Sequence, residues 1–262
     1  MQYQFVGDAT QALLFNLEPG EEIVAEPGAM LFCNEAIQFE SRQQGGLLGG
    51  IKRAVTGESL HLTHFQCIAP GGTIAFGATH PGKIEAVELK GNEWLCQRNS
   101  FLCATAGIGH EVAMVRRFGG GPFANDGFIL QRAAGQGTLF LHFGGNVMES
   151  ELQAGQSLRV DPGCIAALEP TVHYDIQFMG GFRNMLFGGE GMFLATLTGP
   201  GKVMLQTLPF SRMAGRVATA NAAGAAQTGA AGSSGPPTVG NTSIAGTSGF
   251  ATSDVGRIFS SE

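Results

Sequence analysis

Within its 262 residues the chain has one tryptophan, two tyrosines and no CxxC, HxH or GxSxG motif, and each of these gaps removes a class of function. A CxxC pair would mark a dithiol redox centre or a metal knuckle. The five cysteines, Cys33, Cys67, Cys96, Cys103 and Cys164, are instead odd in number and lie inside apolar runs, so they read as buried, reduced thiols. A cupin-type metal site needs two imidazoles two residues apart on one strand face. His61 and His64 are three apart and project to opposite faces. Without GxSxG there is no nucleophile elbow. The runs Gly119-Gly120-Gly121 and Gly188-Gly189 lack the Lys-Ser/Thr ending that makes a glycine loop hold phosphate. No catalytic residue, no cofactor and no metal ligand set is therefore expected.

Two further absences concern partners and location. The chain carries 15 Lys and Arg against 21 Asp and Glu, a formal charge of −6, which argues against a nucleic-acid backbone as partner. No apolar run approaches the ~20 residues of a membrane-spanning helix. The N-terminal stretch has no basic segment and carries Asp8 early, unlike a signal peptide. The expectation is a cytoplasmic protein, with peripheral contact to a membrane surface left open.

What the chain has in quantity is glycine and proline, 41 and 11 residues, between short runs of alternating Phe, Leu, Ile and Val. Ser59-Leu60-His61-Leu62-Thr63 and Thr138-Leu139-Phe140-Leu141-His142 are two such runs. They predict short half-buried strands joined by tight turns, an all-β protein. The pattern also repeats three times. Leu17-Glu18-Pro19-Gly20 through Met30 returns as Leu152-Gln153-Ala154-Gly155 through Ile165, a shift of 155 − 20 = 135. A weaker middle copy places Gly91, Trp94, Cys96, Asn99 and Phe101 at the positions of Gly20, Ile23, Ala25, Gly28 and Met30. Asn99 is read there as a substitute for glycine in a left-handed turn. Gly72-Thr73-Ile74-Ala75-Phe76 likewise matches Gly137 to Leu141 and Gly201 to Leu205. One such unit cannot bury its apolar face alone, so three copies predict a shared core in a pseudo-threefold arrangement, with units at about 1–85, 86–150 and 151–213.

Two sets of residues stand out as candidates for function. Gly45-Gly46-Leu47-Leu48-Gly49-Gly50 with Lys52 and Arg53 reads in two ways. It is either an apolar loop with basic flanks that meets a protein or membrane surface, or a buried connection packing Leu47, Leu48, Ile51 and Val55. Arg53 with Glu58, Arg117 with Asp126 and Arg183 with Glu190 recur at the glycine-rich turn of each unit. They either lock one unit to the next or form a ring of ligand-binding groups.

After Arg216 the composition falls to Ala, Gly, Ser, Thr and Pro, and residues 214–249 read as a flexible linker. Residues 250–262 regain Phe250, Ile258 and Phe259 and read as either a frayed end or a docking peptide.

Several separated motifs, in order, carry a resemblance to a known family. They are Gly28-Ala29-Met30, Gly46-Leu47-Leu48-Gly49-Gly50 with Lys52-Arg53, Gly57-Glu58-Ser59, Pro81-Gly82-Lys83-Ile84, and Gln97 with Ser100-Phe101-Leu102. Gly189-Glu190-Gly191-Met192-Phe193 and Gly199-Pro200-Gly201-Lys202-Val203 with Gln206 and Pro209 complete the set. Over about residues 1–212 the chain resembles the altered inheritance of mitochondria twenty-four family. The resemblance implies an all-β fold similar to that of the tryptophan RNA-binding attenuation protein. It implies no enzymatic activity and supplies no catalytic residue; fungal members are associated with mitochondrial membrane organisation. The expectation for function is a non-enzymatic homo-oligomeric binding or scaffold protein. The alternative is a small-ligand carrier or enzyme with a pocket near the pseudo-threefold axis.

Overall fold

Glycine-punctuated alternation produces strands in all four parts of the chain where the computed structural model describes them, residues 1–43, 61–116, 128–179 and 192–229. Residues 1–219 form one compact unit and 220–262 a second. The strands are β1 (Gln2–Val6), β2 (Ala12–Leu17), β3 (Glu22–Ala25), β4 (Met30–Cys33) and β5 (Ile37–Gln43), then β6 (His61–Cys67) and β7 (Gly72–Gly77). They continue as β8 (Gly82–Gln97), β9 (Phe101–Thr105), β10 (Ile108–Arg116) and β11 (Phe128–Gly144). The last set is β12 (Val147–Leu152), β13 (Ser157–Val160), β14 (Ile165–Leu168), β15 (His173–Met179), β16 (Met192–Thr198) and β17 (Gly201–Gln206). The all-β expectation holds, with one α-helix among the described residues, α1 (Phe210–Gly229), added at the end.

Among the described residues all strand pairings within sheets are antiparallel. In the first part of the chain β7 lies between β2 and β4, and β6 lies between β3 and β5. In the middle, β8 and β11 are long strands of 16 and 17 residues. The first half of β8 and β9 flank the second half of β11, while the second half of β8 and β10 flank its first half. In the last part β17 lies between β12 and β14, and β16 between β13 and β15. Two joints connect these parts: β3 pairs with β9, and β8 with β14. β1 extends the first sheet beyond β2.

The turns follow from backbone sterics. Gly20, Gly91 and Gly155 have φ of +93°, +91° and +79°, a region that L side chains avoid, although the space around each is open. Gly20 sits between β2 and β3, Gly155 between β12 and β13, and Gly91 at a bend inside β8. Gly28 is also left-handed, at +86°, but the reading of Asn99 as a left-handed substitute for glycine is corrected. Asn99 lies in a 3₁₀ turn over Arg98–Ser100, with negative φ. Gly163 lies in another over Pro162–Cys164, where Asp161 Oδ1 accepts its N–H at 2.9 Å. A side-chain cap and a proline at the first turn position replace the need for a left-handed residue there.

The core runs continuously through the chain because its central strands are buried on both faces. Phe140 of β11 points one way, its ring 5.2 Å from Phe15, into a cluster with Leu13, Phe76 and Leu102. Leu139 and Leu141 point the other way, into a cluster with Phe101, Trp94, Val24, Ala167 and Met204. A third cluster joins Leu95 and Leu130 to Ile165, Leu197 and Val203. An uninterrupted apolar run, Leu139-Phe140-Leu141, is what a strand sandwiched on both sides requires.

The linker reading of residues 214–249 is corrected over its first part, where α1 runs to Gly229. Its beginning is anchored. The Phe210 ring lies 5.5 Å from that of His80, Arg212 Nη2 donates to Asp161 Oδ2 at 3.0 Å, and Met213 to Gly215 are half-buried. Seven alanines between 214 and 226 need no packing partner to favour a helix, since alanine has the lowest helical cost of any residue. Low bulk and low charge excluded a core, not a helix.

Candidate functional site

Two arrangements on the β unit carry chemistry. The first is a buried histidine pair between consecutive parts of the chain. His80 follows β7 and His142 lies near the end of β11, 6% and 2% exposed, with ring centroids 4.6 Å apart and planes at 88°. The rings fit because two neighbours are glycines. A Cβ on Gly82 would collide with the Phe143 carbonyl and come within 2.6 Å of His142 Nε2, and one on Gly144 would sit 3.0 Å from His80 Nε2. Gly144 N–H donates to Gln206 Oε1 at 2.9 Å, and Gln206 Nε2 donates to the Gly163 carbonyl at 2.9 Å and to Gln97 Oε1 at 3.2 Å. The polar knot therefore ties the end of β11 to β17 and β8.

Both ring nitrogens of His80, and Nδ1 of His142, have no hydrogen-bond partner. Burial holds the His80 imidazole below its ordinary range. Burial, with the neighbouring His80, takes His142 down to about 4, and a hydrogen bond from its ring to the His80 main chain opposes this. A third buried histidine, His110, stands 4.3 Å from the Phe101 ring with neither nitrogen bonded, and burial lowers it to about 4. All three are neutral at pH 7. No cluster of three or more His, Cys, Asp or Glu positioned to hold a metal ion occurs among the described residues. Burial pushes the Cys96 thiol up to about 12 and Cys103 well above its ordinary value, so these thiols stay protonated.

The second arrangement is ionic and lies on the outer side of the sheets. His64 on β6 bonds to Glu22 on β3, with Arg42 of β5 3.9 Å from the same carboxylate and paired to Glu40. Arg132 on β11 lies 3.4 Å from Glu93 of β8 and 3.7 Å from Glu111 of β10. Across the ladders Glu40 faces His64, Glu111 faces Arg132 and Asp175 faces Thr196. The acids are spaced 111 − 40 = 71 and 175 − 111 = 64 residues apart, the spacings of the sequence repeat. That spacing was the available signal for this set, and it was missed because the acids sit mid-strand rather than at the glycine-rich turns.

Leu47, Leu48, Lys52, Arg53 and Glu58, then Arg117 and Asp126, then Arg183 and Glu190, and finally Phe250, Ile258 and Phe259 lie outside the described residues. The histidine pair was unreadable in sequence, since 142 − 80 = 62 residues separate its members and only the fold brings them together.

The model of the family described as Mitochondrial biogenesis AIM24 matches residues 3–208, the family that the separated motifs resemble. A solved structure similar to this chain is the X-ray crystal structure of protein SPYM3_0169 from Streptococcus pyogenes. It is 23% identical, with a TM-score of 0.66, and the match covers 83% of this chain and 98% of that one. At that identity the likeness establishes the fold alone. No curated protein matches. No helix among the described residues is long and apolar enough to cross a membrane.

Proposed function

We propose that this chain, which belongs to the mitochondrial biogenesis AIM24 family, is a non-enzymatic oligomeric scaffold that works through its surfaces. Three copies of one β unit make up the scaffold, in the manner of the tryptophan RNA-binding attenuation protein. The recurrence of one pairing scheme supports the repeat: β7 between β2 and β4, the end of β11 between β8 and β9, and β17 between β12 and β14.

The observation that carries the scaffold reading is the exposed apolar surface of the first sheet. Leu31 and Phe32 on β4 are 56% and 54% exposed, and Tyr3, Phe5 and Val6 on β1 are between 40% and 47% exposed. Leu31 and Phe32 lie on one edge strand of that sheet and Tyr3, Phe5 and Val6 on the other, and large apolar residues exposed at sheet edges mark contact surfaces rather than chance exposure. The same reading assigns Leu47, Leu48, Lys52 and Arg53 to contact with a protein or anionic membrane surface, and Phe250, Ile258 and Phe259 to a docking peptide. The test is sedimentation velocity on the full chain over a wide concentration range. A mass that rises above that of one chain is expected; a single chain at every concentration overturns the oligomeric role.

A second reading, small-ligand carriage, rests on the three unpartnered ring nitrogens of His80 and His142. Mass spectrometry of the chain purified under native conditions separates the two, since a stoichiometric bound molecule lost in His142→Phe supports carriage.

A further inference from the structure

We propose that the His80–His142 pair is an acid-sensitive latch on α1: a proton taken up by the pair drives Phe210 off the His80 ring and frees the first turn of the helix. His80 touches two rings, that of His142 with centroids 4.6 Å apart and that of Phe210 with centroids 5.5 Å apart. The first residue of α1 is thus packed on a group whose charge depends on pH.

The contact suits a neutral pair and not a charged one. Among the described residues neither nitrogen of His80 has a hydrogen-bond partner, and Nδ1 of His142 has none. The main-chain carbonyls of this stretch are already engaged. That of His80 accepts from the His142 ring, that of Gly144 accepts Leu208 N–H at 2.9 Å, and those of Pro81 and Gly82 accept Gly145 N–H at 3.1 Å and Gln11 N–H at 3.2 Å. The rings have no room to turn, since a Cβ at Gly144 would stand 3.0 Å from His80 Nε2 and one at Gly82 2.6 Å from His142 Nε2. An imidazolium carries two N–H donors, and burying its charge without acceptors is costly.

No carboxylate compensates that charge. Lys83 and Glu85 of β8 lie opposite Phe143 and Leu141, the residues flanking His142, and so project from the other face of the sheet. On the α1 side Asp161 is paired with Arg212, whose guanidinium also reaches the Cys164 thiol.

Phe210 is the part that can yield. It is half-buried, whereas Phe143 and Ile84 beside the histidines are core residues. The ion pair that also holds the start of α1, Arg212 with Asp161, has both side chains 51% exposed, and a surface pair of this kind holds weakly. Acid favours release. With Phe210 in place, burial keeps His80 below its ordinary value of 6.5 and takes His142 to about 4. With Phe210 away the imidazoles meet water and titrate near the ordinary value. The released form therefore takes up protons first as the pH falls below 6.5, and the latch is lost progressively towards the folded value.

The latch needs neither a bound ligand nor association, so its test is separate from those of the scaffold and carriage readings. Hydrogen exchange of the full-length chain is followed by mass spectrometry from pH 7.5 to 4.5, with rates corrected for the intrinsic effect of pH. The reporter is the peptide carrying the Leu208, Arg212 and Met213 amides, which bond to the carbonyls of Gly144, Pro209 and Pro209. Its protection is expected to fall roughly tenfold or more while β11 and β17 keep theirs. The step is expected to vanish in His80→Gln and to remain in Asp161→Asn. In Phe210→Ala protection is expected to be low already at pH 7.5. Should His80→Gln fail to fold, His142→Gln removes the other member of the pair and is expected to diminish the step.

Protection that stays level overturns the latch, and so does protection that rises because the imidazolium binds the Phe210 ring. Parallel loss in β11 and β17, which is acid unfolding of the whole unit, overturns it too. A step that survives unaltered in the histidine variant, or disappears in Asp161→Asn, assigns the acid response to another group and overturns it as well.

Discussion

His142 Nε2 lies 2.6 Å from the point where Gly82 would carry a Cβ, so the ring and the glycine occupy one another's space across the start of β8 and the end of β11. Gly82 bridges Thr10 on one side and Gly145 on the other, in parallel. The residue thus sits where three consecutive parts of the chain meet, and its missing side chain is what allows the meeting.

Gly82→Ala is expected to destabilise the fold by ~2 kcal/mol or more, because the added carbon meets the fixed Phe143 carbonyl and not a movable side-chain tip. Gly20→Ala meets no atom and incurs only the left-handed backbone, about 1 kcal/mol. Denaturant midpoints of the two variants give the comparison; equal losses would refute the packing argument at Gly82.

Stability should decline in acid below about pH 6.5. His110 and His142 are held near 4 in the fold against an ordinary value of 6.5, so the unfolded chain takes up protons first. Their contribution is complete above 6.5 and is lost as pH falls through the folded value. His110→Phe, beside Phe101, should flatten the slope of unfolding free energy between pH 6.5 and 4. An unchanged slope would mean that His110 is hydrated in solution.

Glu26 acts in the opposite sense. Burial raises its carboxyl from 4.5 to about 7, partly offset by Arg98. Its contribution is full below pH 4.5 and is lost as pH rises through 7. Glu26→Gln is therefore expected to be more stable than wild type at pH 8, by on the order of 1 kcal/mol, and nearly equal to it at pH 4. Thermal melts at the two pH values decide it, and a variant weaker than wild type at pH 8 would show that the charged form is favoured.

Leu47→Ser with Leu48→Ser is expected to leave the melting temperature within a few degrees of wild type and to weaken association or binding to anionic vesicles, since such contact scales with apolar area. Flotation with vesicles containing phosphatidylserine, run beside sedimentation, gives the readout. A collapsed melting temperature with unaltered association of the folded fraction would place both leucines in the core.

Local rules were enough for much of the fold. Short apolar runs such as Leu139-Phe140-Leu141 call for strands, Gly20, Gly91 and Gly155 mark turns that L side chains avoid, and the 71- and 64-residue spacings reappear as registers. All of these depend on residues close together in the chain or on a period that can be counted. Local rules also misled: Asn99 lies in a 3₁₀ turn with negative φ, and alanines carry α1 without a core. The meeting of His80 with His142 and the burial that lowers their basicity were decided by the tertiary structure alone. Both depend on which strand lies beside which across more than sixty residues, and no rule that acts on neighbours in the chain reaches that far.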